Sequence, residues 1–160
     1  MTTIFNMKRI VVFFMLINLL LLLPFDKQSF LPLYKLHNTE QICFVCEKEV
    51  GINNKLVENL IENGGVKYLY TSKENALALS KKLRYSSVEF YLKNISLSKL
   101  KDILDFTTLK IQTLNETIIV YGYSSFYTDY IYMDNKRVNV QLAIKNYDII
   151  AGFPLIVTGF

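Results

Sequence analysis

Two cysteines at positions 43 and 46, in the sequence Cys-Phe-Val-Cys, are the residues with the most evident chemistry in the chain. Two thiols at this spacing can form a disulfide, and a helix N-terminus that follows them lowers the thiol pKa, so the motif is typical of thiol-disulfide exchange. Thioredoxin-like proteins place the motif between a strand and a helix of a βαβ unit, and no such unit surrounds Cys43 here. We therefore predict a local disulfide or two buried thiols, with a redox site using Cys43 and Cys46 as the alternative.

Acid–base chemistry is limited because His37 is the only histidine. A nucleophilic triad or dyad of the Ser-His or Cys-His type needs an imidazole base, and His37 falls in a region without regular periodicity. A closed zinc site needs four ligands, so His37 and the two thiols would require either Glu40 or Glu47 as well. The chain also lacks a P-loop and a G-x-G-x-x-G motif. We predict a protein that is not an enzyme, with no catalytic residues, no metal and no cofactor.

An aromatic stretch in the second half of the chain is the preferred candidate for a binding surface. Aromatic residues that alternate with small ones on adjacent strands line one face of a sheet, where they either pack as cross-strand pairs or stack on a ligand. A tyrosine ring buries apolar area while its hydroxyl still forms hydrogen bonds. Six aromatic residues lie within twelve positions, and they are Tyr121, Tyr123, Phe126, Tyr127, Tyr130 and Tyr132.

The elements that position these residues follow an apolar segment near the start of the chain. Residues 10–25 contain one polar side chain, Asn18, and follow Lys8 and Arg9. A positive flank before an apolar run keeps the first residues, 1–9, in the cytoplasm while the remainder crosses the membrane. A helix of this length covers roughly 24 Å, which lies between a signal sequence and a full bilayer span.

The exit from this segment favours a retained anchor. Signal peptidase requires small residues in an A-x-A-like pattern, whereas the nearest small residue after Pro24 is Ser29. We therefore predict a single-pass protein of the cell membrane with its C-terminal domain outside the cytoplasm. Secretion after cleavage is the alternative.

Length and charge describe one packed domain after the anchor. Residues 26–160 are enough for a single core and too few for two. Lys8 and Arg9 account for two of the four net positive charges, so the rest of the chain carries +2. Nucleic-acid binders concentrate basic residues on one face, whereas here acids and bases are interleaved. We predict no nucleic-acid partner.

Periodicity divides the remainder into a connector over 26–50 and a domain over 51–160. Apolar residues at helical spacing from Ile52 to Ile61 predict a helix that Gly64 and Gly65 end. Strands are predicted over 66–70 and 86–92, separated by a helix that Thr71 or Ser72 caps and that runs from Lys73 to about Leu83. Ser96 is predicted to cap a third helix.

From Thr107 onward, the period changes to two and turn residues recur, which is typical of antiparallel strands. Asp134 and Asn135 predict a two-residue hairpin loop between strands over 130–133 and 136–144. Other strands are predicted over 109–114, 117–123, 147–150 and 155–157. Helices first and strands second predict an α+β fold, a two-layer sandwich with about three helices packed on an antiparallel C-terminal sheet, after an N-terminal transmembrane helix.

The last forty residues contain an N-[LV]-Q-[IL]-A-[IL] strand at 139–144 and a G-x-P-[IL]-[IV] segment before a terminal aromatic at 152–160. In these features the chain resembles the C-terminal end of the YwmB family, exported proteins of low-GC Gram-positive bacteria with a TATA-box-binding-like domain. The family's function is unassigned, so the resemblance implies export and a fold but no catalytic residues. Four motif residues are assigned to structure, namely Asn139, Gln141, Gly152 and Pro154.

These observations together predict a membrane-tethered extracytoplasmic binding or assembly module without catalytic activity. Its expected partners are the membrane and another envelope protein or a cell-wall component. A cell-envelope thiol-disulfide protein is the first alternative, and DNA binding, which the family's fold label suggests, is the second. Fold similarity alone does not imply function.

Overall fold

A computed structural model of the chain describes residues 31–46 and 54–159. This part of the chain is an α+β structure with two eight-residue helices and a large antiparallel sheet, which confirms the predicted fold class. The helices are α1 Leu31–Tyr34, a single turn, and α2 Lys73–Ser80 and α3 Leu97–Leu104; a 3-10 turn spans Asn54–Leu56. The strands are β1 Thr39–Cys46, β2 Asn59–Asn63, β3 Val66–Thr71, β4 Ser87–Lys93, β5 Phe106–Leu114, β6 Thr117–Ser124, β7 Ile131–Met133, β8 Lys136–Val138, β9 Val140–Lys145 and β10 Asp148–Phe153.

Eight of these strands form one sheet in the order β2-β3-β1-β4-β10-β9-β6-β5, and β7 pairs with β8 in a separate hairpin. Every neighbouring pair in both sheets is antiparallel. The predicted location of the sheet is wrong, because strands from both halves of the chain build it. The strand β10 joins the strands that precede α3 to those that follow it, since it pairs with β4 on one side and with β9 on the other.

The core lies on one face of this sheet, here called the inner face. Leu142 and Ala151 are opposite each other across β9 and β10, and Ala151 is opposite Phe90 on β4. These residues join the same buried cluster as Leu79 of α2 and Leu100 of α3. The two helices therefore cover the inner face and leave the outer face to other parts of the chain.

Serine residues begin both helices where the sequence predicts it. Ser72 is the N-cap residue of α2 but its side chain makes no capping hydrogen bond, whereas the side chain of Ser96, the N-cap of α3, accepts a hydrogen bond of 3.3 Å from Lys99 N. The Ser96 cap thus satisfies a backbone N–H group that has no partner within the helix. The helix α2 ends at Ser80, three residues before the predicted end.

The predicted helix from Ile52 to Ile61 is wrong over its second half. Residues Asn59–Asn63 form β2, and every side chain of β2 is exposed. Gly64 and Gly65 have φ values of 60° and 81°, so they form the turn of a β2–β3 hairpin and do not end a helix. A two-residue hairpin loop needs positive φ at both positions, which glycine adopts at no steric cost.

The predicted connector over 26–50 is also corrected. Its residues Thr39–Cys46 form β1, which lies between β3 and β4 in the interior of the sheet. The last five residues of β1 are all buried. A strand buried on both faces has a continuous apolar sequence and not an alternating one, which is why the period of two is missing here.

The predicted apolar anchor at 10–25 and the cytoplasmic residues 1–9 lie outside the described residues. Within residues 31–46 and 54–159, no helix is both long and apolar enough to cross a bilayer.

Candidate functional site

The β7–β8 hairpin presents an aromatic–arginine cluster, defined by Tyr130, Tyr132 and Arg137. Asp134 and Asn135 form the predicted two-residue turn, with φ values of 49° and 62°. This turn places Tyr132 directly opposite Arg137 across the hairpin. The neighbouring pair, Met133 and Lys136, points to the other side because successive side chains of a strand alternate between faces.

The side of the hairpin that carries Met133 and Lys136 faces strand β5. Together with Val138, Leu109 and Lys110, these residues line a small cavity of about 180 Å³. Lys110 Nζ also lies 2.9 Å from Asp134 Oδ2, so an ion pair joins β5 to the hairpin turn. With one side of the hairpin turned toward β5, the cluster residues Tyr132 and Arg137 are on the side that faces solvent.

Contacts inside the aromatic–arginine cluster hold its three side chains together. The rings of Tyr130 and Tyr132 meet edge to face with their centroids 5.4 Å apart. The guanidinium carbon of Arg137 lies 4.7 Å from the centroid of the Tyr130 ring. A hydrogen bond from Arg137, with a further one from Tyr130, lowers the pKa of the Tyr132 hydroxyl. The same bond to Tyr132 raises the pKa of Arg137, so this side chain stays cationic.

The cluster is open to solvent and carries positive charge. Tyr130 is 40% exposed and Tyr132 is 65% exposed. Among residues 31–46 and 54–159, Arg137 forms no ion pair with a carboxylate. A guanidinium that stacks on an aromatic ring and has no carboxylate partner keeps N–H donors for an external anion.

The other four predicted aromatic residues are placed differently. Tyr123 lies close enough to Arg137 to contribute to its raised pKa, and it is half-buried, as is Tyr121. Phe126 is exposed in the turn after β6. The placement of Tyr127 on a surface is wrong, because it is 2% exposed and its ring lies 4.2 Å from that of Phe153 in the core.

Asn139 positions the loop that leads to the cluster. It is fully buried between β8 and β9, where its Nδ2 donates hydrogen bonds of 2.8 Å to Ser124 O and Tyr127 O. Its Oδ1 accepts a bond of 2.7 Å from Ser124 N. The predicted single strand over 136–144 is therefore interrupted at Asn139, whose side chain anchors the loop that carries Tyr130.

A second polar site lies on the outer face and was missed by the sequence analysis. Glu89 is fully buried in the middle of β4. Its Oε1 accepts hydrogen bonds from Val157 N at 2.6 Å and Thr158 N at 3.0 Å, and its Oε2 accepts one from Thr158 Oγ1 at 2.5 Å. Tyr91 also donates to Glu89 Oε2 at 3.3 Å. A signal was present in the sequence, since an acidic residue within an apolar and aromatic strand must find donors when it is buried.

Residues 154–159, here called the strap, run over this part of the outer face. The predicted strand over 155–157 is wrong, because side chains of the sheet hold the strap in place of a backbone ladder. Gln141 Oε1 accepts a bond of 3.0 Å from Ile156 N, and Ser87 Oγ donates one of 2.5 Å to Leu155 O. Gly152 lies directly beneath Leu155 and Ile156, where an added Cβ would come within 2.6 Å of both. Two of the motif residues assigned to structure, Gln141 and Gly152, thus support the strap, and Pro154 begins it.

The two cysteines lie on opposite faces of β1. Cys43 is opposite Glu89 on the outer face, whereas Cys46 belongs to the buried cluster on the inner face. Both thiols are free. Burial raises the pKa of Cys43 to about 12, with a further contribution from Glu89, and burial raises the pKa of Cys46 to about 11. An internal disulfide would need the two Cβ atoms to point toward each other, which alternation along a strand prevents at this spacing.

His37, Cys43 and Cys46 do not come together as zinc ligands either. His37 is exposed in the turn before β1, while the two thiols are buried on different faces. Within the described part of the chain, no three His, Cys, Asp or Glu side chains converge in a way that could hold a metal ion.

Comparison of the chain with protein-family models, with curated proteins and with solved structures finds no match. The class of protein is therefore described by its fold and its sites. It is an α+β protein with an eight-stranded antiparallel sheet, an exposed aromatic–arginine cluster at one end, and a buried carboxylate that holds a strap on the outer face.

Proposed function

We propose that the protein is a non-catalytic binding module that uses the aromatic–arginine cluster to capture an anionic group on a partner. The observation that carries this proposal is the guanidinium of Arg137, which lies 4.7 Å from the Tyr130 ring, beside the exposed Tyr132, and has no carboxylate partner among residues 31–46 and 54–159. Guanidinium groups bind carboxylates and phosphates through two parallel hydrogen bonds, and adjacent tyrosine rings add apolar area and hydroxyl groups.

The geometry of the hairpin supports a preformed site. Asp134 is paired with Lys110 and is not directed at Arg137, so the nearest acidic residue of the turn does not neutralise the cluster. The edge-to-face packing of Tyr130 and Tyr132 restricts both rings before a ligand arrives. Restricting side chains in advance lowers the entropy cost of binding.

The proposed setting is the outside of the cell membrane, with the apolar segment at 10–25 as the tether. This proposal is supported by the sequence of that segment and its basic flank. The partner is then an envelope protein or a cell-wall component, and we further propose a relationship to the YwmB family. Asn139, Gln141 and Gly152 support that relationship, because each motif residue has a defined structural role in this fold.

The setting is tested by labelling intact cells with a membrane-impermeant maleimide. Ser98 is exposed on α3, so Ser98→Cys supplies a reactive thiol, whereas Cys43 and Cys46 are buried and serve as the unlabelled background. Labelling of Ser98→Cys in intact cells is expected. Labelling only after lysis would place the domain in the cytoplasm and would overturn the tethered, extracytoplasmic setting.

The binding function is tested by capture from membrane extracts with the full chain. Arg137→Gln and the double variant Tyr130→Ala/Tyr132→Ala are expected to lose the same captured species, and raised ionic strength is expected to release that species from the wild type. Tyr147→Ala is the matched control, because Tyr147 is 82% exposed and lies in the turn between β9 and β10, outside the cluster. Equal capture by wild type and Arg137→Gln would refute the proposal.

A further inference from the structure

The strap is bound in the manner of a peptide ligand. Four consecutive residues, 155–158, form six hydrogen bonds with side chains of the sheet. Four of these bonds involve backbone groups of the strap, and the other two involve the Thr158 hydroxyl. Within residues 31–46 and 54–159, no backbone-to-backbone hydrogen bond ties the strap to the sheet. The sheet therefore recognises an extended main chain plus one hydroxyl group.

Because Glu89 is buried, a segment that donates hydrogen bonds must cover it on the outer face. A buried carboxylate is tolerated only when hydrogen-bond donors replace the water it has lost. Among the described residues, four donors reach Glu89, of which Val157 and Thr158 supply three and Tyr91 supplies the other. Without the strap, the carboxylate would keep one donor from the protein and would otherwise need water or another peptide.

The side chains of the strap contribute little selectivity except at Thr158. Val157 is 48% exposed, and Leu155 and Ile156 are only partly buried. The Thr158 hydroxyl, in contrast, donates to Glu89 and is also hydrogen-bonded to the Tyr91 hydroxyl at 2.9 Å. A segment of different sequence could satisfy the same groups if it were extended and had a hydroxyl residue at this position.

We propose that the outer face is a peptide-binding site for an extended segment that presents a serine or threonine hydroxyl to Glu89. In the folded chain, the strap occupies the site, and a segment of a partner protein with the same pattern displaces it. The recognising side chains are Ser87, Glu89, Tyr91 and Gln141. This site is separate from the aromatic–arginine cluster and does not depend on its function.

The reactivity of the Cys43 thiol toward alkylating agents can report whether the strap has left the outer face. Cys43 lies opposite Glu89 on the outer face and is fully buried. A hydrogen bond links its thiol to the Tyr70 hydroxyl, which is linked in turn to Tyr91 and so to Thr158. Loss of the strap is expected to open this network to solvent and to make Cys43 reactive toward alkylating agents. Cys46 lies on the inner face and serves as the internal control.

The test uses the full chain with Val157→Pro, which removes the N–H that donates to Glu89 at 2.6 Å and leaves the sheet unchanged. Val157 is half-exposed outside the core, so the variant is expected to fold. Alkylation followed by mass spectrometry should show Cys43 modified and Cys46 protected. Protection of Cys43 equal to that of the wild type would overturn the proposal, because a strap that stays in place after losing this bond would not yield the site to another peptide.

The probe is a fluorescent synthetic peptide with the sequence of residues 153–160, and binding is followed by anisotropy. It is expected to bind Val157→Pro, to bind the wild type more weakly because the site is occupied, and to restore protection of Cys43. Binding should fall by about tenfold or more in Val157→Pro/Glu89→Gln and for a peptide with valine in place of Thr158, because bonds to a charged acceptor are lost. The proposal would be overturned if the peptide did not bind Val157→Pro although Cys43 had become exposed. It would also be overturned if the peptide bound Val157→Pro/Glu89→Gln as tightly as it binds Val157→Pro.

Discussion

Replacement of Asn139 by alanine is expected to lower the free energy of unfolding substantially. Asn139 is fully buried, and its amide satisfies three backbone groups, namely the N–H and C=O of Ser124 and the C=O of Tyr127. Alanine can replace none of these bonds. The three groups belong to the last residue of β6 and to the loop that connects this strand to the aromatic–arginine cluster, so the substitution affects stability and binding together.

The magnitude follows from the number of groups left without partners. An unsatisfied buried polar group costs about 1 to 3 kcal/mol. The adjacent residues Ser125 and Phe126 are exposed, so water can reach part of the loop, and the lower end of this range applies. Three groups therefore predict a loss of about 3 to 5 kcal/mol. Because small domains are stable by about 5 to 15 kcal/mol, the loss is a large fraction of the total.

Urea denaturation of the purified full chain, followed by circular dichroism, measures this effect. The chain has no tryptophan, so far-ultraviolet dichroism is the natural signal. Gln112→Ala is the matched control, because it removes an exposed amide from β5 and is expected to change stability by less than about 0.5 kcal/mol. A loss of less than about 1 kcal/mol for Asn139→Ala would refute the reasoning, since it would mean that water replaces the amide at little cost.

Two further predictions concern packing and pH. Gly122→Ala places a Cβ against the Phe106 ring and the Thr107 carbonyl oxygen. Because the carbonyl oxygen is a backbone atom and cannot move aside easily, we expect the free energy of unfolding to fall by about 1 to 3 kcal/mol. A melting temperature within about 1 °C of the wild type would contradict this expectation. The pKa values of Cys43 (about 12) and Cys46 (about 11) are raised in the folded protein, so the unfolded chain loses these thiol protons first, near pH 9. The stability that the protonated thiols provide is therefore fully present below pH 9 and is lost as the pH rises through 11 and 12. The urea midpoint is therefore expected to fall above pH 9, and less steeply in Cys43→Ala/Cys46→Ala; identical slopes for the two proteins would contradict the assignment.

Local features of the sequence predicted the elements that depend on neighbouring residues. The caps Ser72 and Ser96, the turn at Asp134 and Asn135, and the strand β4 all follow from short-range patterns. The cap and the turn depend on residues no more than a few positions apart, and the sequence of β4 has the β-branched and aromatic composition typical of a strand. The change to a period of two after Thr107 likewise identified the antiparallel strands of the second half of the chain.

The same local patterns were misleading where burial and pairing come from distant residues. The helical spacing between Ile52 and Ile61 did not decide the structure, because β2 pairs with β3 across a glycine turn and exposes all of its side chains. Strand β1 was missed because both of its faces are buried, which removes the alternation that identifies a strand. Tyr127 belongs to the same aromatic stretch as the exposed tyrosines, but its ring packs on Phe153, which lies 26 positions further along the chain.

The sequence by itself determined the fold class, both long helices, most of the hairpins and the hairpin that carries the aromatic–arginine cluster. Only the tertiary structure decided which residues meet on the outer face. Glu89 and Thr158 are 69 positions apart, and Cys43 comes to lie opposite Glu89 only because β1 and β4 are neighbours in the sheet. Periodicity reports the face on which a side chain lies, whereas the identity of its partner depends on strand order, and strand order is set by the packing of the whole chain.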